Sequence, residues 1–204
     1  GVDLEMQKTV EETEKSPLEK EILFVGRLVG RKGVHELLRA FKLLQDEVKN
    51  IKLVIVGDGP QRRSLQKLTK DLGVEEKVEF TGTLVGRSLF KRYKQCDLFV
   101  MPSKTFSQDV EGFGMVFLEA SLFKKPAVGT WSGGIPEAVI HEKTGLLVQP
   151  GDVEELKEAM RLLLTDEKLA KKFGENAYRR VISEFTWERG VSKFLRMYEE
   201  LREG

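Results

Sequence analysis

The sequence predicts an α/β fold: one parallel sheet of about six strands, helices on both faces, and a helical C-terminal tail. Three observations carry this. Short runs rich in apolar and β-branched residues alternate with longer segments whose apolar residues recur at helical spacing, the pattern of successive βαβ units. Several of the short runs carry a continuous apolar stretch, as in the LVIV of KLVIVG, which suits strands buried on both faces of a parallel sheet. The chain's 204 residues are enough for one such domain with a sizeable core.

Each element follows from local chemistry. Residues 1–20 are polar and acid-rich, carry Pro17, and read as a linker; residues 21–204 read as the folded domain. EILFVG (21–26) is the first strand and ends at a glycine. Residues 34–48 place Leu37, Leu38, Phe41, Leu44 and Val48 on one helical face. KLVIVG (52–57) is the second strand, and Pro60 suits the first turn of the helix that runs to Gly73. KVEFTG (77–82) is the third strand, 87–96 a short helix and DLFVMP (97–102) the fourth strand. A helix over 115–124, a strand over 126–130 and a strand with its turn over 145–152 follow. Three helical segments, 153–164, 166–185 and 186–203, complete the tail. Phe185, Trp187, Phe194 and Tyr198 recur in it at roughly helical spacing and read as core packing.

Composition excludes several function classes. Formal net charge is +1, which gives no global field for nucleic acid or a membrane surface. One cysteine, Cys96, and two histidines, His35 and His141, make neither a disulfide framework nor a histidine-based metal site. No apolar run approaches the roughly 20 residues of a membrane span. With no signal-peptide pattern at the start, the expected location is cytoplasmic. A charge content of 33%, dominated by Lys, Arg and Glu, leans towards a thermophile.

In a doubly wound sheet ligands sit beyond the carboxyl ends of the strands, so the residues after each strand matter most. GRLVGRKG follows the first strand and precedes a helix. Gly26 allows the turn, while Arg27 and Lys32 could neutralise a diphosphate with help from helix N-terminal amides. The same residues fit a solvated basic loop, with Arg31 and Lys32 pointing to water. GDGPQR, residues 57–62, half-matches a dinucleotide fingerprint, but Arg62 replaces the third glycine and no acid ends a second strand at the required place. A tight strand-to-helix turn is the better reading, which disfavours a nicotinamide enzyme.

EGFGMVFLE, residues 111–119, brackets an apolar run with two acids. In one helix these acids would stand about 80° apart around the axis, a poor geometry for joint work. Gly112 and Gly114 instead predict a loop bearing Glu111, a Gly-Phe-Gly turn, and a helix starting near Gly114. The amides of Gly114, Met115 and Val116 then point out of the helix start, and Glu119 lies just over one turn in. Glu119 sits between Leu118 and Ala120, and a buried carboxylate is costly unless hydrogen bonded. WSGGIPEAV, residues 131–139, allows close backbone approach at Gly133 and Gly134 and a short helix from Pro136.

The order GRLVGRKG, GDGP, FTG, MPS, EGFGMVFLEA, PAVGTWSGGIPE, GLLVQPGD and FTWER resembles the retaining glycosyltransferases of family 4 over essentially the whole chain. The resemblance implies a Rossmann-like half of a two-domain B-type fold. The opening Gly1-Val2-Asp3 is similar to the family's interdomain stretch, which makes residues 1–20 an interdomain linker remnant and 21–204 the nucleotide-sugar-binding domain. An acceptor-binding N-terminal half would be absent, and with it any peripheral membrane association. The implied function is the donor half of a hexosyltransferase that uses GDP-mannose or a UDP-sugar on a glycan or lipid-linked acceptor, inactive in transfer without its other half.

The resemblance also assigns residues. Arg27 and Lys32, beside Gly26, would pair with the donor diphosphate. Glu119 would bind the ribose hydroxyls, and Glu111 would face the sugar. Amides of Phe113, Gly114 and Met115 would meet the sugar or distal phosphate, with Val116 close by. Thr83, Leu84 and Met101 to Ser103 would border the base. Glu111, Arg27 and Lys32 are thus the candidate catalytic residues, and no metal or other cofactor is implied. Retention would proceed by front-face displacement, with the leaving phosphate taking the acceptor proton; Glu111 as a covalent nucleophile is the less favoured version. The segment SKTFSQDVEGFG is longer than the family's usual form, and Asp109-Val110 before the motif and Glu119-Ala120-Ser121 after it resemble mannosyltransferases that use GDP-mannose and act on lipid-linked acceptors. An epimerase, a phosphorylase of the same shape and a non-catalytic sugar-nucleotide-binding module are the alternatives.

Overall fold

The computed structural model describes residues 1–9, 19–105, 112–192 and 202. Strands β1 (Lys20–Val25), β2 (Ile51–Val56), β3 (Val78–Gly82), β4 (Leu98–Val100), β5 (Ala127–Thr130) and β6 (Gly145–Val148) form one sheet in the order β3-β2-β1-β4-β5-β6. Every neighbouring pair is parallel. The α/β class, strand number and parallel sense match the sequence prediction.

Burial explains why the strands read as continuous apolar runs. From Ile22 to Phe24, Leu53 to Ile55 and Leu98 to Val100 no side chain is exposed to solvent at all. Only β3, at one edge, is half-exposed along its length. Register sets Ile22 opposite both Leu53 and Leu98, so β1 is the centre of the sheet.

The helices are α1 (Glu5–Lys8), α2 (Val34–Glu47), α3 (Arg62–Asp71), α4 (Arg87–Gln95), α5 (Met115–Leu122), α6 (Ile135–Ala138), α7 (Val153–Thr165) and α8 (Glu167–Glu184). Right-handed crossovers dictate their sides. The chain winds one way from β1 to β3 through α2 and α3, then returns past β1 and winds the other way through β4 to β6. Accordingly α2 packs on α3 and α7, while α5 packs on α8 and α4 meets α1. Asp152 starts α7 as its side chain accepts from the Glu155 amide at 2.9 Å.

Three features differ from the sequence reading. Strand β4 has three residues rather than six, and it stops short of Pro102, which has no amide to extend the ladder. Of the segment read as a linker, residues 1–9 pack on the domain: Val2 is buried, its amide donates to the Phe185 carbonyl at 2.8 Å, and it bridges in parallel to Thr186. One valine in a polar stretch has no periodicity to announce it. The tail continues as helix over 187–192, but Trp187 is 60% exposed rather than core, while Phe194 and Tyr198 lie outside the described residues.

Candidate functional site

The strand order reverses between β1 and β4, so the crevice at their carboxyl ends is where a ligand is expected. The loops after these two strands are clasped together. The Lys104 amide donates to the Arg31 carbonyl at 2.7 Å. Gly33, at φ 70°, lies so close to the Pro102 carbonyl oxygen that a Cβ there would meet it at 2.0 Å. Both the left-handed backbone and the contact demand glycine.

Beside this clasp, a cleft of 410 Å³ opens over the ends of β1, β2 and β3. Gly26, Arg27, Asp58, Thr83 and Leu84 are among the residues that line it. Gly26 donates its amide to the Val56 carbonyl at 3.0 Å, and Arg27 is exposed at the surface of the cleft. Asp58 belongs to the GDGP turn, which sequence reasoning treated as structural. It is that, since one carboxylate oxygen accepts from the Gly59 amide at 2.7 Å and the other pairs with Arg62 at 3.1 Å. It also forms wall.

Lys32 does not point to water. It is buried, its Nζ lies 3.5 Å from Met101 Sδ, and its Cε lies 3.7 Å from where a Cβ on Gly26 would be. The terminal methyl of Met101 in turn lies 3.8 Å from the Cβ position of Gly114. A contiguous line therefore runs from the cleft at Gly26, through Lys32 and Met101, to the start of α5. The solvated-loop reading fails for Lys32, because it is buried and its Nζ meets Met101 beyond the end of β4. Ser103 is also fully buried, with its amide donating to the Met101 carbonyl at 3.0 Å and its carbonyl accepting from Thr130.

Helix α5 begins at Met115 with Gly114 as its N-cap, where the Gly-Phe-Gly turn predicted it. Gly114 has no side chain to cap this helix start; the Phe117 amide donates to the Gly114 carbonyl at 2.9 Å, and among the described residues the Met115 and Val116 amides have no intrahelical partner. Met115 is exposed and Val116 half-buried. The Phe113 ring turns towards Phe185, 5.3 Å between centroids, so its side chain packs and only its backbone is left for a ligand. The post-β5 loop joins here, with the Gly134 amide donating to the Gly112 carbonyl at 3.1 Å. Glu137 is exposed on α6. Glu111 lies outside the described residues.

Glu119 is half-buried on α5, and its Oε2 accepts from the Tyr93 hydroxyl at 2.7 Å. Burial, then the negative charge of Glu119, pushes the Tyr93 phenol well above its ordinary range. Tyr93 therefore remains a proton donor. Sequence reasoning missed it as a site residue; a single hydroxyl on the apolar face of α4 was the available signal. At the start of α2, His35 is shifted down by burial first, with Arg39 and Lys104 adding to the effect and Glu36 opposing it.

These features can hold an anion and a polyol together: cations and helix N-terminal amides for the one, a fixed carboxylate for the other. Among the described residues, no helix is long and apolar enough to cross a membrane.

Comparison with known proteins agrees. The chain is 38% identical over 174 residues to a GDP-mannose-dependent α-(1-6)-phosphatidylinositol monomannoside mannosyltransferase of Mycobacterium tuberculosis, covering 84% of this chain and 45% of that protein. Sucrose-phosphate synthase from Thermosynechococcus elongatus superposes with a TM-score of 0.80 at 30% identity, over 98% of this chain and 49% of that one. An Anabaena protein, HepE, solved with UDP-glucose, gives 0.81 at 25% identity, over 100% of this chain and 56% of that one. The chain spans about half the length of the curated relatives it matches. Residues 5–180 match the family described as Glycosyl transferases group 1, and the chain belongs to that family.

Proposed function

We propose that this chain is the donor-binding half of a retaining hexosyltransferase that takes a nucleoside-diphosphate sugar. The observation that carries the reading is the line Gly26–Lys32–Met101–Gly114, which sets a buried cation towards a helix start with glycine at its N-cap, at the switch point. Arg27 and Lys32 meet the diphosphate, the α5 amides meet the distal phosphate or sugar, and the cleft beside Thr83 and Leu84 takes the base. Glu119 meets the ribose. Cationic side chains and helix amides carry the leaving group's charge without a metal ion. GDP-mannose is the favoured donor on the mannosyltransferase relatives, and a UDP-sugar is the alternative suggested by HepE.

In transfer, an acceptor hydroxyl oxygen bonds to the anomeric carbon on the face from which the diphosphate departs. The carbon–oxygen bond to phosphate breaks, and the leaving phosphate oxygen takes the acceptor proton. Glu111 steadies the sugar hydroxyls. The acceptor, a glycan or a lipid-linked glycan, is bound by another half of the whole enzyme, and this chain alone binds donor without transferring sugar.

Thermal denaturation with GDP, UDP and ADP tests the reading. At a concentration 100 times Kd, a nucleotide stabilises its protein by about 2.7 kcal/mol. GDP or UDP should raise the melting temperature of the parent, and less so that of Arg27→Ala and Glu119→Ala. No shift with any nucleotide, or equal shifts in parent and variants, would sink the assignment.

A further inference from the structure

Tyr93 is fully buried, yet its hydroxyl sits on the candidate ribose carboxylate. Its ring stacks on Phe123, centroids 5.9 Å apart at 11°, and tilts against Phe99 at the same separation. Phe99 in turn meets Phe117 of α5 edge-on at 5.2 Å. The phenol is therefore held by rings from β4 and from the end of α5, and its hydroxyl donates to Glu119 Oε2.

We infer that Tyr93 is a positioning residue: it fixes one oxygen of Glu119 so that the other is presented to the ribose hydroxyls of the nucleotide. The inference rests on the donor-binding reading above. A glutamate has three rotatable side-chain bonds, and half-buried on a helix it would otherwise sample several rotamers. One donor on a rigid ring selects one of them before ligand arrives, which lowers the ordering cost of binding. The chemistry matches as well. A carboxylate only accepts, ribose hydroxyls can both donate, and the buried phenol keeps its proton and so donates to one carboxylate oxygen. A phenylalanine would pack equally well among these rings but would leave the carboxylate free to turn.

The test is discrimination between ribose and its deoxygenated form. Calorimetric titration of the 204-residue chain compares GDP with 2′,3′-dideoxyguanosine diphosphate, and UDP with its dideoxy counterpart. The parent should prefer the ribonucleotide by about tenfold or more. Glu119→Ala should abolish that preference. Tyr93→Phe should cut it to within about threefold while leaving dideoxynucleotide affinity unchanged, which a merely structural loss would not do. Para-aminophenylalanine at 93, which restores an N–H donor, should recover it. If Tyr93→Phe lacks a cooperative thermal transition, para-fluorophenylalanine at 93 takes its place, filling the phenol's volume without a donor. Parent-like discrimination in the donor-less variant, with Glu119→Ala showing none, overturns the positioning role and leaves the ribose reading intact. Equal binding of both nucleotide forms by the parent, or no binding at all, overturns the ribose reading and the inference together.

Discussion

Gly33→Ala measures how tightly the β1 and β4 loops are clasped. Two costs act at this position. A left-handed φ of 70° is unfavourable for an L-residue by roughly 1–2 kcal/mol. The new Cβ would also lie 2.0 Å from the Pro102 carbonyl oxygen, so one loop must move by about an ångström to reach ordinary contact. That movement stretches the 2.7 Å bond from the Lys104 amide to the Arg31 carbonyl, a net loss of about 1 kcal/mol if it breaks. Strained packing adds about a further 1 kcal/mol. The expected total is about 2–4 kcal/mol. Gly73→Ala is the internal control, because Gly73 has φ 66° and nothing within 4 Å of its Cβ position. It carries the backbone cost alone, about 1–2 kcal/mol. Urea denaturation of parent and both variants gives the difference directly. If the two alanines cost the same, the clasp is not a tight contact and the argument for a rigid switch-point crevice fails.

Four further outcomes follow from described contacts. The buried Tyr93 phenol has its pKa raised in the folded chain, so the unfolded chain loses that proton first, from about pH 10 upward. Parent stability is therefore intact below pH 10 and falls above it by up to about 1.4 kcal/mol per pH unit relative to Tyr93→Phe; a constant gap between the two denaturation curves from pH 7 to 11.5 would refute it. Asp152→Ala removes the cap of α7 and should cost about 1 kcal/mol in urea denaturation, and no change there would refute the capping role. Lys32→Met should weaken GDP or UDP binding at least tenfold while barely changing that of the free nucleoside, and an equal loss for both would argue against a diphosphate contact. Lys52→Ala strips Glu21, whose side chain is only 4% exposed, of its 3.2 Å ion pair and should destabilise by about 1–3 kcal/mol; a neutral result would show that Arg92 alone suffices.

The strands and the start of α5 were legible because their signals are local. Continuous apolar runs mark strands covered on both faces, and Gly112 and Gly114 limit where a helix can begin. The pairing of Tyr93 with Glu119 was not legible, since nothing local links residues 26 positions apart on different helices. The fate of Lys32 was equally hidden. Its sequence neighbours suit a solvated loop, whereas in the fold it is buried with Met101, beyond the end of β4, against its Nζ. Val2 escaped notice for the same reason: its partner, Thr186, comes from the far end of the chain. Asp58 was recognised for its turn chemistry and missed as cleft wall, because wall depends on the neighbouring β1 and β3 loops.

The half-exposed edge strand β3 bears on how the molecule behaves in crowded solution. Its outer backbone groups could template another strand, the usual route to edge-to-edge aggregation. The strand is only five residues long, and Glu79, its second residue, is held by Arg92 of α4. A second chain docking there would have to bring its own strand alongside this charge pair and strip it of water. The outermost strand thus trades some burial for colloidal safety, and replacing Glu79 with valine should show as concentration-dependent light scattering before it shows as lost fold.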